Sequence, residues 1–128
     1  MTGMSDGSGS TSWTYDSRGR MTQESKVIIG SGTFVTQWGY NSADLPIWMK
    51  YPANNTSGVG ENVNFAYLNQ MVLDTVIGTS TYVYNTDYDA AGRVTLRELG
   101  ASSLIHNHYT YYDWTHQYGQ GRLSNIPS

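Results

Sequence analysis

The sequence predicts an all-β protein, in which antiparallel β-hairpin repeats form an open or partly rolled sheet of some eight to twelve strands. Three observations lead there. A ten-residue phrase recurs, apolar side chains alternate with a period of two, and each alternating run stops at a cluster of turn-forming residues. Composition agrees, with 11 Tyr and 4 Trp against 2 Phe, and 14 Gly among 128 residues. Aromatic rings pack well on a pleated surface, whereas Gly, Ser and Thr weaken a helix interior.

The first element is the segment Trp13-Thr14-Tyr15-Asp16-Ser17-Arg18-Gly19-Arg20-Met21-Thr22, which recurs as Thr86-Asp87-Tyr88-Asp89-Ala90-Ala91-Gly92-Arg93-Val94-Thr95. The shared pattern is Tyr-Asp-x-x-Gly-Arg-apolar-Thr. A Tyr at the end of a strand packs its ring and keeps a hydroxyl free for a partner. The Asp after it accepts backbone N–H bonds two residues on and closes a turn. Gly19 and Gly92 supply the left-handed step that reverses the chain. The Arg is placed to pair with the motif Asp or to lie flat on a neighbouring Tyr ring. A degraded third copy starts at Tyr111-Tyr112-Asp113 and resumes after an insertion at Gly121-Arg122-Leu123-Ser124.

Between these copies lie two fainter units, Trp38 to Pro46 and Phe65 to Met71. Their turns, Asn41-Ser42-Ala43-Asp44 and Asn69-Gln70-Met71, depart from the motif and are expected to adopt a different geometry. Aligning the apolar residue that closes each unit gives Met21, Leu45, Met71, Val94 and Leu123, steps of 24, 26, 23 and 29 residues. Five units at such a period are the signature of a repeat architecture. One domain, residues 1–128, is expected.

The strands follow from alternation: Phe34, Thr36, Trp38, Tyr40; Leu45, Ile47, Met49, Tyr51; Val63, Phe65, Tyr67; and an aromatic strand from Ile105 to Asp113. Turns are expected at residues 16–19, 41–44, 52–61, 78–80 and 89–92, with further turn chemistry at Gly30-Ser31-Gly32 and Leu99-Gly100-Ala101-Ser102. No helical stripe persists over three turns.

A formal charge of −3 with 13% charged residues provides no basic field for a phosphate backbone, so nucleic acid is not an expected partner. Cysteine is absent, which removes disulfides and thiolate metal sites. No apolar run approaches the length of a membrane span, and Met1 to Ser10 lacks the charged and apolar regions of a signal peptide. His106, His108, Asp113 and His116 have ligand chemistry, but polar members of an aromatic strand facing water explain them more simply, and no metal or other cofactor is expected. Asp87 and Asp89 resemble a glycosidase pair only on paper, because the turn accounts for Asp89. No nucleophile elbow or phosphate loop occurs. The sequons at Asn54 and Asn55 are what short Asn/Thr/Ser loops yield by chance.

At about 25-residue spacing, Tyr15-Asp16-x-x-Gly19-Arg20 and Tyr88-Asp89-x-x-Gly92-Arg93 resemble the YD repeats of the RHS (rearrangement hotspot) family. The opening from Asp6 to Tyr15 resembles the lead-in of such a repeat, so the resemblance covers essentially the whole chain. It implies a segment of a β-spiral shell, of the kind that encloses a C-terminal toxin in bacterial polymorphic toxins and insecticidal toxin complexes, or forms the barrel of teneurins. The Asp-Pro-x-Gly pair of a self-cleaving core is absent, so the chain is expected to be a fragment of a longer protein.

The function expected on that basis is structural, with no enzymatic activity and a secreted or cell-surface location. Neighbouring repeats of the same longer chain and an enclosed toxin domain are its expected partners, and isolated sheet edges are expected to self-associate. The alternative is a carbohydrate- or protein-binding module that uses exposed rings, with Trp48 and Trp114 as stacking residues for a surface glycan.

Overall fold

The computed structural model describes residues 2–53, 59–69 and 71–126. The sequons at Asn54 and Asn55, part of the turn expected at 52–61, and Gln70 lie outside the described residues. Twelve strands and no helix are present among the described residues: β1 (Gly3–Asp6), β2 (Gly9–Tyr15), β3 (Met21–Ile28), β4 (Gly32–Tyr40), β5 (Pro46–Pro52), β6 (Val59–Leu68), β7 (Val72–Ile77), β8 (Thr81–Tyr88), β9 (Val94–Leu99), β10 (Ile105–His108), β11 (Thr110–Tyr111) and β12 (Leu123–Asn125). The all-β antiparallel class is therefore as the sequence indicated. Strands β1 to β10 are hydrogen-bonded in sequence order, and β11 pairs with β12. Two compact units divide the chain, residues 1–65 and 66–128.

In the first unit, the registers Trp38 opposite Met49 and Met49 opposite Val63 put one apolar row on one face. The other face carries Gln23 opposite Gln37 and Gln37 opposite Lys50, and the Gln37 amide donates to Gln23 at 2.8 Å. Val63, at 5% exposure, is the one buried hydrophobic residue among the described residues. Most other strand positions are half-buried. That pattern belongs to a single layer of sheet, in which each side chain is covered by cross-strand neighbours and not by a second layer.

In the second unit Val76, Val83, Leu99 and Ile105 stand in register across β7 to β10. Thr86, 1% exposed, is held by Asp74, whose carbonyl accepts the Thr86 hydroxyl at 3.0 Å. Within each unit the order is strictly sequential, so β2–β3 and β4–β5 turn at one end of the strands in the first unit. The turns β6–β7 and β8–β9 likewise share one end in the second.

Two expectations need correction. Residues 59–61 belong to β6 and not to a turn, since Met49 pairs with Val63 and the register runs on to Pro52 opposite Val59. The aromatic strand expected from Ile105 to Asp113 is divided: Tyr109 N–H still bonds the Thr95 carbonyl at 2.9 Å in the β9–β10 register, but Thr110–Tyr111 leave β9 to pair with β12.

Candidate functional site: the repeated turn and its latch

The motif Asp builds the β2–β3 turn almost alone. Asp16 Oδ1 accepts the backbone N–H of Arg18 at 2.9 Å and of Arg20 at 3.0 Å, while Oδ2 accepts Arg20 Nε at 2.7 Å. The backbone closes around it, with Asp16 N–H donating to the Arg20 carbonyl and Gly19 N–H to the Asp16 carbonyl. Gly19 has φ 81°, a left-handed step that any side chain disfavours. The β8–β9 turn repeats this bond for bond. Asp89 Oδ1 accepts Ala91 and Arg93 N–H, Oδ2 accepts Arg93 Nε at 2.7 Å, and Gly92 has φ 76°.

These bonds favour the charged carboxylate. For Asp89 the Arg93 backbone N–H and side chain lead in holding its pKa below the ordinary 3.8. For Asp16 desolvation is the largest single influence and pushes upward, but the Arg20 N–H, the Arg20 side chain and the Arg18 N–H together outweigh it and lower the pKa. Arg20 is correspondingly raised, first by its bond to Asp16.

The turn at 41–44 was expected to differ, and it does not. Asn41 N–H donates to the Leu45 carbonyl, Asp44 N–H to the Asn41 carbonyl, and Asn41 Oδ1 accepts the N–H groups of Ala43 and Leu45. Asn41 thus does the work of the motif Asp, and Asp44, at φ 64°, that of the Gly. Both substitutions keep the physics: an amide oxygen accepts as a carboxylate does, and Asp tolerates the left-handed region better than most residues.

The third copy uses the same backbone closure around a long insertion. Tyr112 N–H donates to the Arg122 carbonyl and Gly121 N–H to the Tyr112 carbonyl, with Gly121 at φ 69°. Tyr112 takes the position of the motif Asp. Asp113 is displaced into the insertion, where Thr115 hydroxyl and N–H bond it and lower its pKa.

The β6–β7 turn is of another kind. It is a tight reversal in which Met71 N–H donates to the Leu68 carbonyl, with Asn69 at φ 50°.

What couples one unit to the next is the Tyr-Arg pair. Tyr40 hydroxyl donates to the Met21 carbonyl at 2.8 Å, Tyr111 hydroxyl to Val94 at 2.7 Å, and Tyr88 hydroxyl to Leu73. Each bond spans from a motif Tyr to the residue that follows the Arg position of the preceding unit. The Arg then lies over that same Tyr: Arg20 is 5.0 Å from the Tyr40 ring centroid and Arg93 4.4 Å from that of Tyr111. Pairing with the Asp and stacking on the ring, weighed separately from sequence, occur together.

Arg20 Nη1 also reaches the Asn41 carbonyl at 2.8 Å and Asp44 at 2.7 Å, and Arg18 bonds Asp44 and the Ser42 carbonyl. Arg18, Asn41 and Asp44 were not singled out from sequence. These hydrogen bonds also correct the alignment of the middle units. Leu45 stands at the Arg position, and the residue equivalent to Met21 in the β6–β7 unit is Leu73 and not Met71, which is 78% exposed.

The remaining candidates are placed as follows. Trp48 lies against Gly39, where an added Cβ would come within 2.1 Å of its Nε1, and Lys50 Nζ sits 5.3 Å from its ring. Trp114 is 67% exposed and Tyr118 81%, beside a stacked Tyr112–His116 pair at 4.1 Å. Arg122 is exposed. His106 Nδ1 lies 3.0 Å from Glu98, its cross-strand partner. Among the described residues no group of three or more His, Cys, Asp or Glu is arranged to hold a metal ion. No helix among them is long and apolar enough to cross a membrane. No family model and no curated protein matches the chain.

Proposed function

We propose that the chain is a structural repeat segment of the YD/RHS type, a wall of a secreted or cell-surface β-shell that encloses or presents a C-terminal toxin or effector domain. One observation carries this reading: the Asp-centred turn and the Tyr-Arg contact to the next unit recur with the same bonds at separate places in the chain. A latch that recurs at Arg20–Tyr40 and Arg93–Tyr111 holds neighbouring hairpins in a fixed relation, which is what a wall needs. Each motif carboxylate is held by its own turn and by the Nε of its motif Arg, and no catalytic step is assigned to the pair. A single-layer sheet with half-buried apolar rows is supported further when something lies against one face.

The test is protection. In the secreted protein that contains this chain and its downstream domain, limited proteolysis should spare the downstream domain, and Asp16→Ala with Asp89→Ala should expose it. Equal cleavage in both would overturn the reading.

A second reading, a glycan-binding surface, is favoured by the exposure of Trp114 and Tyr118 on one insertion. Glycan-array binding that Trp114→Ala abolishes would support it over the wall, and Trp48, already packed within the sheet, is the less suited of the two stacking candidates.

A further inference from the structure

The second unit contains a cleft of about 560 Å³ between the β6–β7 turn and the β8–β9 turn, with Leu68, Met71 and Val72 on one wall and Asp87, Tyr88 and Asp89 on the other. Its place in the repeat is informative. The start of β7 beside the end of β8 is equivalent to the start of β3 beside the end of β4, because Tyr88 bonds the Leu73 carbonyl as Tyr40 bonds that of Met21. At that place in the first unit lies the guanidinium of Arg20, over Tyr40 and against the Asn41 carbonyl and Asp44. Arg93 occupies the corresponding place over Tyr111. In the cleft the equivalent residue is Val72, one position before Leu73, and its side chain is too short to cover the ring. Among the described residues no cation stands over Tyr88.

We propose that this cleft is an arginine slot left open by the sequence, and that it takes the side chain of an arginine presented by a loop of a partner polypeptide. The walls suit that occupant. Tyr88 offers a ring face, the Asp89 carbonyl stands where the Asn41 carbonyl receives Arg20, and the exposed Asp87 supplies a carboxylate in place of Asp44. Asp89 itself is engaged by Arg93, whereas the exposed Asp87 accepts, among the described residues, only the neutral Asn85 amide at 3.2 Å on Oδ1 and is the carboxylate placed to meet an incoming charge. Leu68 and Met71, both exposed, cover the aliphatic stem of an arginine. A planar guanidinium can lie flat on a ring while forking to a carbonyl and a carboxylate, which an ammonium cannot do. The inference stands on the repeat geometry and does not depend on the shell reading.

The experiment is an NMR titration of the ¹⁵N-labelled full chain with a blocked Gly-Arg-Val-Thr peptide and with its citrulline counterpart. The arginine peptide should bind with a Kd on the order of 1 mM and shift the amides of residues 68–72 and 87–92, with the citrulline peptide at least about fivefold weaker. Val72→Arg should move the same resonances without peptide and abolish binding. Asp87→Asn, at an exposed position, should keep the fold and weaken binding about threefold, so the test survives if Val72→Arg does not fold. Equal binding of the two peptides, shifts confined to other residues, or no shift up to about ten times that Kd would each overturn the proposal.

Discussion

The two neighbouring turns of the first unit are tied together, and two neighbouring turns of the second are not. Between the β2–β3 and β4–β5 turns run bonds from Arg18 and Arg20 to Asp44 and to the carbonyls of Ser42 and Asn41. Between the β6–β7 and β8–β9 turns there is a cleft. Both pairs keep the tyrosine hydroxyl bond to the preceding unit. The difference therefore lies in the turn that comes first. The Asp16–Arg20 loop projects two cations, Arg18 and Arg20, toward its neighbour, and a tight Leu68–Met71 reversal projects none. The hydroxyl sets the spacing of hairpins, and the arginines close the gap between their turns.

Breaking the turns themselves should have the largest effect. Gly19→Ala and Gly92→Ala force a Cβ into left-handed backbone and should each cost about 1–2 kcal/mol in urea unfolding. The two should match, because the cost belongs to the turn and not to the gap beside it. Next in size, Tyr40→Phe and Tyr88→Phe each remove one hydroxyl donor and leave a carbonyl with one partner fewer, for about 1 kcal/mol each. A loss at Tyr40 alone would show that the hydroxyl matters only where an arginine also covers the ring.

Acid should weaken both turns together. Asp16 and Asp89 have folded pKa values below the ordinary 3.8, so the stability they contribute is complete above that value and is lost as pH falls below it through the folded pKa. The melting temperature should drop below about pH 4, and Asp16→Asn with Asp89→Asn should flatten that drop. An unchanged acid limb in the double variant would mean that other carboxylates govern it.

The smallest effects separate the two regions. Asp44→Asn keeps the left-handed step but removes the charge that Arg18 and Arg20 share, at a side chain 53% exposed. It should lower the melting temperature slightly at low salt and hardly at all at high salt. Val72→Arg should do the reverse in the second unit, raising the midpoint by ~2–4 °C if the new side chain settles over Tyr88.

Much of the hairpin order was legible because it rests on local chemistry. Asp before Gly at the end of an alternating run names a turn, and Tyr-Asp-x-x-Gly-Arg did so at both full copies. The turn at 41–44 was misjudged because its letters had changed while its physics had not. Asn41 accepts the same two N–H groups as Asp16, and Asp44 adopts the positive φ of Gly19. Apolar letters misled the alignment at Leu45 and Met71, since only the Asn41–Leu45 and Tyr88–Leu73 bonds reveal which residue holds which place. Arg18 lay beyond local reading, because its partners are 24 and 26 residues away and no periodicity announces them.

The claim that the arginine of one turn and the tyrosine of the next act as one latch is tested most directly by a double-mutant cycle on Arg20 and Tyr40, read as thermal midpoints of the full chain. Arg20→Gln and Tyr40→Leu should each lower the midpoint, and the double variant should fall by clearly less than the two losses combined, since either change already opens the latch. Strictly additive losses would mean that the two residues stabilise the sheet independently, and the latch would be contradicted.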